Sequence, residues 1–154
     1  MMPFDSYPAA GKALLGRVTG SNCRHGYGMT FMQVTGQTTC AYCGLDFVAA
    51  FENFLQMALD HVVPKNVCKS RALPDDWAED CINKVLACMA CNGFDNHFTL
   101  QESCACPRTL EAFCELRDRI FTERKARIAA RRDKEQEFFN RRPWELRSRT
   151  VRAQ

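Results

Sequence analysis

Two CxxC pairs constrain this chain more than any other feature. Cys40 and Cys43 form the first pair, and Cys88 and Cys91 form the second. Four thiolates satisfy the tetrahedral preference of Zn²⁺, and a two-residue spacer lets both members of a pair bind one ion without strain. We therefore predict one structural zinc site made by these four cysteines. The alternative is that all four are small hydrophobic residues of the core.

The cellular compartment bears on this choice, because ten cysteines would also suit five disulfides in a secreted protein. The first residues lack the charged start and continuous apolar run of a secretory signal, and no stretch approaches the roughly 20 apolar residues of a membrane span. We therefore expect a cytoplasmic protein with no membrane partner. The C-x-C spacing disfavours a second zinc site, which would use Cys23, His25, Cys104, Cys106 and Cys114.

The chain divides into three predicted segments. Residues 1–37 are an irregular N-terminal segment with one short strand at 30–34, residues 38–106 form the core, and residues 107–154 form a helical, Arg-rich extension. The extension begins near Pro107, where apolar residues recur at helical intervals as far as about Asn140, and Pro143 then ends the helix.

Within the core, residues 54–63 are typical of a buried strand, with a helix over part of 49–59 as an alternative. Residues 64–82 are predicted to be a loop, with a short helix starting near Trp77 after a cap by Asp75 or Asp76. Residues 83–92 are predicted to be a helix that Asn83 caps.

Polar residues interrupt the apolar sequence between and beside the CxxC pairs. Asp60 and His61 end an apolar run, where such groups are costly unless they have partners. Asn83 precedes the second pair by five residues, and Asn92 follows it directly. A carboxylate, an imidazole and two carboxamides around a zinc-bound support would make a polar site on a rigid base.

The ordered motifs CAYCG, LDHVVP and INKVLACMACN resemble the His-Asn-His (HNH) nuclease family in its four-cysteine zinc form, over residues 38–97. The resemblance implies an α+β fold, a small ββα-metal core closed by a four-cysteine zinc site and followed here by a long C-terminal basic helix. It also implies an enzyme that hydrolyses phosphodiester bonds with one divalent metal, Mg²⁺ or Mn²⁺, in addition to the structural Zn²⁺.

The same resemblance implies a role for each polar residue. His61 would be the general base, and Asp60 a ligand of the catalytic metal. Asn83 would be the middle asparagine that orients the catalytic loop. Asn92 would occupy the last motif position as the second metal ligand, where the family also uses histidine, and His97 is a rival for that role.

Elementary chemistry supports these roles. A neutral imidazole near pH 7 can accept a proton from water, and such a base contributes about 10²–10⁴-fold. A hard divalent ion held by one carboxylate and one amide keeps open positions for water and phosphate, as a catalytic metal requires. A zinc ion with four thiolates has no open position and is therefore structural.

The charge of the chain is unevenly distributed. Residues 1–106 carry 7 Lys/Arg and 10 Asp/Glu, a net charge of 7 − 10 = −3, whereas residues 107–154 carry 14 and 8, a net charge of 14 − 8 = +6. Such a helix is either a solvated surface with charges paired at i,i+4 or a surface that contacts phosphates. Beside a nuclease core we favour phosphate contact, by Arg124, Lys125, Arg127, Arg131 and Arg132.

The sequence therefore predicts a metal-dependent endonuclease that acts on DNA, most naturally duplex DNA, with RNA as an open alternative substrate. One rival is a non-catalytic, zinc-dependent module that binds nucleic acid through the Arg-rich helix. The other is a structural protein whose long helix forms a bundle or a homodimer.

Overall fold

The computed structural model describes residues 2–11, 24–95, 97–101 and 105–145, and it combines helices with a two-stranded sheet. This architecture agrees with the predicted α+β class. Among the described residues, no helix has the length and apolar character needed to cross a membrane. The strands are β1 (Met57–His61) and β2 (Lys84–Cys88), and the helices are α1 (Met29–Thr35), α2 (Phe51–Leu55), α3 (Lys65–Ser70), α4 (Asp75–Glu79), α5 (Met89–Phe94) and α6 (Leu110–Asn140).

The sheet is antiparallel, with Met57 opposite Cys88 and His61 opposite Lys84. All five residues of β2 are buried. A fully buried strand lacks the alternation of polar and apolar residues that distinguishes a strand from a buried helix. The predicted helix over 83–92 is therefore wrong in its first half, because the strand continues to Cys88 and the helix begins at Met89.

The structure also corrects the two strands predicted at residues 30–34 and 54–63. The predicted strand at 30–34 is wrong, because those residues lie in α1, where Phe31 and Thr35 are buried four residues apart on one face. Gly36 ends that helix with φ of 70°, a left-handed conformation that glycine adopts without a steric penalty. Residues 54–63 are a strand only from Met57 to His61, and α2 precedes it, as the helical alternative predicted.

The predicted loop over 64–82 contains two short helices, α3 and α4. Helix α4 starts at Asp75 after Pro74, and neither predicted aspartate caps it with its side chain. The capping residue of this region is Asp80, whose Oδ1 accepts a hydrogen bond from the Ile82 N–H at 3.0 Å and fixes the 3₁₀ turn that leads into β2.

Helix α6 begins at Leu110, where Thr109 Oγ1 accepts a hydrogen bond from the Ala112 N–H, and it ends at Asn140. Its second half, from residue 129, is exposed. Its first half belongs to the same hydrophobic cluster as the sheet, so the predicted boundary at residue 106 does not divide the core. The apolar residues that α6 contributes are Phe113, Leu116, Ile120, Phe121 and Ile128.

The N-terminal segment also belongs to this core, although it was predicted to be irregular. Phe4 is buried and meets Phe121 edge-on, with ring centroids 5.4 Å apart. The guanidinium carbon of Arg117 lies 3.8 Å from the centroid of the Phe4 ring, while its Nη1 donates a hydrogen bond to the Ile82 carbonyl at 2.9 Å. The N-terminal segment and α6 therefore pack together beside the turn that leads into β2.

We predict that Ile120→Ala lowers the free energy of unfolding by about 2–5 kcal/mol, because the side chain is 1% exposed and its removal leaves a cavity. Lys134→Ala, on the exposed half of the same helix, should change it by no more than about 0.5 kcal/mol. Urea denaturation of the zinc-loaded protein measures both values. Equal effects at the two positions would show that the first half of α6 does not pack on the core.

Candidate metal centres and catalytic cavity

The first CxxC pair lies in a tight turn between the short bridge partners Thr39 and Asp46. Gly44 permits this turn because its φ is 76°, and its N–H donates a hydrogen bond to the Cys40 carbonyl at 2.8 Å. The Ala41 N–H donates to the Leu86 carbonyl at 2.9 Å, which attaches the turn to β2. The second pair follows directly at the end of β2 and the start of α5.

The four predicted cysteines come together at this junction. Their sulfur atoms all lie within 4.8 Å of one another, with Cys43 half-buried and the other three buried. The Cys88 N–H donates to Cys40 Sγ at 3.3 Å, and the Cys91 N–H donates to Cys88 Sγ at 3.5 Å. Backbone N–H groups aimed at sulfur favour thiolates, so this cluster can hold a metal ion such as zinc.

The thiols also affect one another's ionisation. Hydrogen bonds from Cys88 and Cys91 lower the pKa of Cys40, and the bonds they make to Cys40 raise the pKa of both donors. Like charges repel at this distance, and a divalent ion bound by the four sulfurs would offset that repulsion. Arg132 adds positive charge, with Nη1 placed 3.8 Å from Cys91 Sγ.

Within the described ranges, the remaining cysteines do not form a second cluster. No other group of three or more His, Cys, Asp or Glu side chains there lies close enough together to hold a metal ion. Cys106 is exposed and Cys114 is half-buried on α6. His25 stacks on Phe54, with ring centroids 6.4 Å apart. Cys23 and Cys104 lie outside the described residues.

A cavity of about 300 Å³ lies where β1 ends and α5 passes beside it. Its lining includes three residues predicted to serve catalysis or the catalytic metal, Asp60, His61 and Asn92. His97 is exposed and is not among the lining residues, so of the two rival candidates only Asn92 lines the cavity with Asp60. The other residues of the lining are Leu59, Pro64, Lys65, Asn66, Asp95 and Arg124.

His61 is oriented by a carboxylate that the sequence analysis did not identify. Its Nε2 lies 3.2 Å from Glu79 Oε2. Burial lowers the pKa of His61 below its ordinary value, and the hydrogen bond with Glu79 opposes this shift without reversing it. The imidazole is therefore neutral near pH 7.

Glu79 is itself held by two lysines. Lys65 Nζ lies 2.7 Å from Oε1, and the buried Lys84 Nζ lies 3.2 Å from Oε2. Burial would raise the pKa of Glu79, but hydrogen bonds from Lys65 and His61 outweigh that effect and lower the pKa to about 2. Nothing in the sequence distinguishes Glu79 from its acidic neighbours at 75, 76 and 80, because the contact depends on how α4 packs against β1.

Asn83 lies 0% exposed and holds the chain that leaves β1. Its Oδ1 accepts a hydrogen bond from the Val63 N–H at 2.9 Å, and its Nδ2 donates to the carbonyls of Val63 and Ala78 at 3.1 and 3.0 Å. These contacts fix the backbone two residues beyond His61 and the helix that carries Glu79. Asn83 has no exposed surface, so any effect it has on the cavity acts through the backbone that it holds.

Asp60 is buried and makes strong contacts inside the protein. Tyr42 Oη donates to Asp60 Oδ2 at 2.5 Å, and burial together with the negative charge of Asp60 raises the pKa of Tyr42 well above its usual value. Arg124 contributes Nη1 at 3.0 Å from Oδ2 and Nη2 at 3.3 Å from Oδ1. The carboxylate predicted to bind metal is therefore paired with an arginine of α6.

Arg124 must be removed from the predicted nucleic-acid surface, since only 2% of it is exposed. Besides Asp60, its Nη1 donates to the His61 and Val62 carbonyls at 2.8 and 3.0 Å. Helical periodicity places position 124 on the buried face of α6, together with Phe121 and Ile128. The charge of the segment gives no sign of this burial, whereas its helical periodicity does.

The other four cations predicted to bind nucleic acid are exposed on α6. Arg127 pairs with Asp95 at 2.9 Å and with Glu123 at 3.5 Å, and Arg131 pairs with Glu135 at 2.8 Å. The i,i+4 pairs that the alternative predicted are therefore present. Within the described part of the chain, Lys125 and Arg132 form no ion pair with an Asp or Glu side chain.

Comparisons of this chain with protein-family profiles, with curated proteins and with solved structures found no match.

We predict that the purified protein contains about one tightly bound zinc ion and that Cys40→Ser unfolds the core. Metal binding energies of about 10–16 kcal/mol in small zinc peptides are as large as the whole stability of a typical domain, about 5–15 kcal/mol. Cys106→Ser removes an exposed cysteine outside the cluster and should leave zinc content and fold unchanged. Elemental analysis and circular dichroism measure both properties. A folded, zinc-free Cys40→Ser protein would show that the four sulfurs do not form a structural metal site.

Proposed function

We propose that this protein is a metal-dependent HNH endonuclease that hydrolyses phosphodiester bonds in DNA. The observation that supports the proposal most is the convergence of Asp60, His61 and Asn92 on one cavity, with His61 hydrogen-bonded to Glu79. The proposal is also supported by the frame of β1, β2 and α5, which carries both this cavity and the four-cysteine cluster. A carboxylate, an oriented imidazole and an amide are the groups that hydrolysis by activated water requires.

His61 would act as the general base. Its Nε2 faces the Glu79 carboxylate, so the tautomer inferred from this contact carries the proton on Nε2 and leaves the lone pair on Nδ1. Nδ1 would accept a proton from the attacking water, and Glu79 would stabilise the resulting imidazolium, as the carboxylate does in a catalytic triad. The lowered pKa of His61 keeps the base neutral before this step.

Asp60 and Asn92 provide hard oxygen donors, which suit Mg²⁺ or Mn²⁺ better than a soft metal. When bound, the divalent ion would supply charge stabilisation for the phosphate and the leaving oxygen. Asn83 would keep the backbone after β1 in place, so that His61 and Asp60 keep their positions relative to Asn92. Tyr42 would orient Asp60 by its hydrogen bond to Oδ2.

DNA would approach along the exposed cations of α6. Lys125, Arg131 and Arg132 are exposed on this helix. Lys65, with 56% of its side chain exposed, lines the cavity. Contacts to phosphate oxygens position a duplex without reading its sequence. An RNA substrate would use the same contacts, because activated water does not by itself select the sugar.

The second candidate function is a non-catalytic, zinc-dependent module that binds nucleic acid. The ion pair between Arg124 and Asp60 favours it, because that pair already neutralises the carboxylate. Such a module would need the zinc cluster and the basic helix, but it would not need His61 or Glu79. Cleavage therefore distinguishes the two functions.

We predict that the zinc-loaded protein cleaves plasmid DNA with Mg²⁺ or Mn²⁺ and not with EDTA, and that His61→Ala lowers the rate by about 10²-fold or more. Asp60→Asn should also be inactive through weakened metal binding, so added Mn²⁺ should restore part of its activity and none of that of His61→Ala.

His97→Ala is the matched control in this assay, because it removes a histidine that is exposed and absent from the cavity lining. It should cleave at the wild-type rate. Full activity in His61→Ala would contradict the catalytic role. Binding without any cleavage by the wild-type protein would favour the non-catalytic module.

We predict that the double variant Lys125→Gln/Arg131→Gln binds duplex DNA more weakly, with the slope of log affinity against log salt reduced by about 0.9 for each lost phosphate contact. Arg108→Gln/Arg119→Gln removes the same charge from the region where α6 begins. Fluorescence anisotropy over a salt series measures both. If the two double variants lose the same affinity and slope, net charge rather than this helix surface determines binding.

A further inference from the structure

Lys65 is the accessible cation of the cavity that contains His61. It begins α3 directly after β1 and Pro64, and 56% of its side chain is exposed. Arg124, which also lines the cavity, is 2% exposed and directs its guanidinium at Asp60 and at backbone carbonyls. A ligand that enters the cavity can therefore reach the ammonium of Lys65 more readily than the guanidinium of Arg124.

The carboxylates of the lining already have cationic partners. Asp60 lies 3.0 Å from Arg124 Nη1 and accepts a hydrogen bond from Tyr42 Oη. Asp95 lies 2.9 Å from Arg127 Nη2 and 3.5 Å from Arg124 Nε. Paired carboxylates repel an anion much less than free carboxylates do, because the neighbouring positive charge offsets their field. The electrostatic obstacle to an anion in this cavity is therefore removed by the protein's own arginines.

Lys65 shares its carboxylate partner with a second lysine. Its Nζ lies 2.7 Å from Glu79 Oε1, and the buried Lys84 Nζ lies 3.2 Å from Oε2 of the same carboxylate. Burial lowers the pKa of Lys84, but the Glu79 carboxylate opposes that shift. One carboxylate cannot neutralise two ammonium groups, so positive charge remains at the exposed one. An ammonium has three N–H donors, and the ion pair with Glu79 uses one of them. Lys65 can therefore keep this contact and donate to an anion as well.

The same carboxylate places Lys65 next to the candidate base. Glu79 Oε1 contacts Lys65, and Glu79 Oε2 lies 3.2 Å from His61 Nε2. An anion held by Lys65 would therefore lie beside the imidazole. The oxygens of a phosphodiester carry negative charge that must be stabilised while water attacks the phosphorus, and a fixed cation supplies that stabilisation.

We propose that Lys65 binds the phosphate that is attacked in the cavity, by donating a hydrogen bond from Nζ to a phosphate oxygen that does not link the two nucleotides. The inference rests on the proposed function, because it assigns this lysine to the phosphodiester that His61-activated water attacks. Lys65 is then a catalytic residue. Its contact with the phosphate needs no divalent ion, because the ammonium itself provides the charge.

Binding of a thymidine dinucleotide, which carries one phosphodiester, tests this contact without measuring cleavage. The zinc-loaded protein is titrated without added Mg²⁺ or Mn²⁺ and followed by nuclear magnetic resonance. The amide resonances of Lys65 and Asn66 and the imidazole resonances of His61 should shift and saturate with one dissociation constant, whereas thymidine, which lacks the phosphate, should not shift them. Lys65→Gln should raise that constant by about tenfold or more, because a charge-assisted hydrogen bond is lost. Lys69→Gln removes an exposed lysine of the same helix outside the cavity lining and should bind as the wild type does.

Glu79→Gln distinguishes a direct contact from an effect that Lys65 exerts through Glu79. If Lys65 contacts the phosphate, this variant removes the carboxylate that competes for the ammonium, so the dinucleotide should bind at least as tightly as it binds to the wild type. If Lys65 only holds Glu79 in place, Glu79→Gln should weaken binding as much as Lys65→Gln does, and that result would overturn the proposal.

Plasmid cleavage by the same variants separates this inference from the proposed function. Lys65→Gln should lower the rate by about 10²-fold, as the loss of one transition-state donor does, and Lys69→Gln should leave it unchanged. If the wild-type protein cleaves plasmid but binds no dinucleotide, or if Lys65→Gln cleaves at the wild-type rate, the inference fails and the nuclease proposal stands. If Lys65→Gln weakens dinucleotide binding but the wild-type protein cleaves nothing, the phosphate contact stands and the nuclease proposal fails.

Discussion

The ion pair and hydrogen bonds of the Arg124 guanidinium are the contacts on which the arrangement around the cavity depends. They join the long C-terminal helix to the end of β1 through the Asp60 carboxylate and through the carbonyls of His61 and Val62. Breaking a buried ion pair by removing one partner costs about 3–5 kcal/mol, because the other charge is left unpaired in the interior. The helix is therefore part of the cavity wall and not an appendage, and the candidate base His61 sits on backbone that the helix holds.

The four-cysteine cluster and the cavity share the same small frame. Cys88 ends β2 opposite Met57, whereas His61 ends β1 opposite Lys84, so the cluster and the imidazole occupy opposite ends of one five-residue pairing. Helix α5 starts with the second CxxC pair and carries Asn92 into the cavity. A metal ion at the cysteines would thus fix the start of the helix that presents a candidate ligand for the second metal.

The groups around His61 form a polar network whose inner members, Asn83 and Lys84, are buried. Asn83 uses both ends of its amide on the backbone beside His61, and Glu79 accepts contacts from His61, Lys65 and Lys84. Buried networks of this kind rigidify a site, because each member would be costly to leave unpaired. The exception lies between Arg124 Nε and Asp95 Oδ2, which form an ion pair at 3.5 Å without a hydrogen bond.

The sequence by itself determined the components that follow short-range rules. The CxxC spacing selected the four cysteines that come together, and the helical periodicity located α6 almost to its last residue. It did not determine β2, because a strand buried on both faces carries no alternation to read. It also could not assign Glu79 to His61 or Arg124 to Asp60. Those contacts join residues 18 and 64 positions apart in the chain, and only tertiary packing decides which of many similar charges is buried beside which partner.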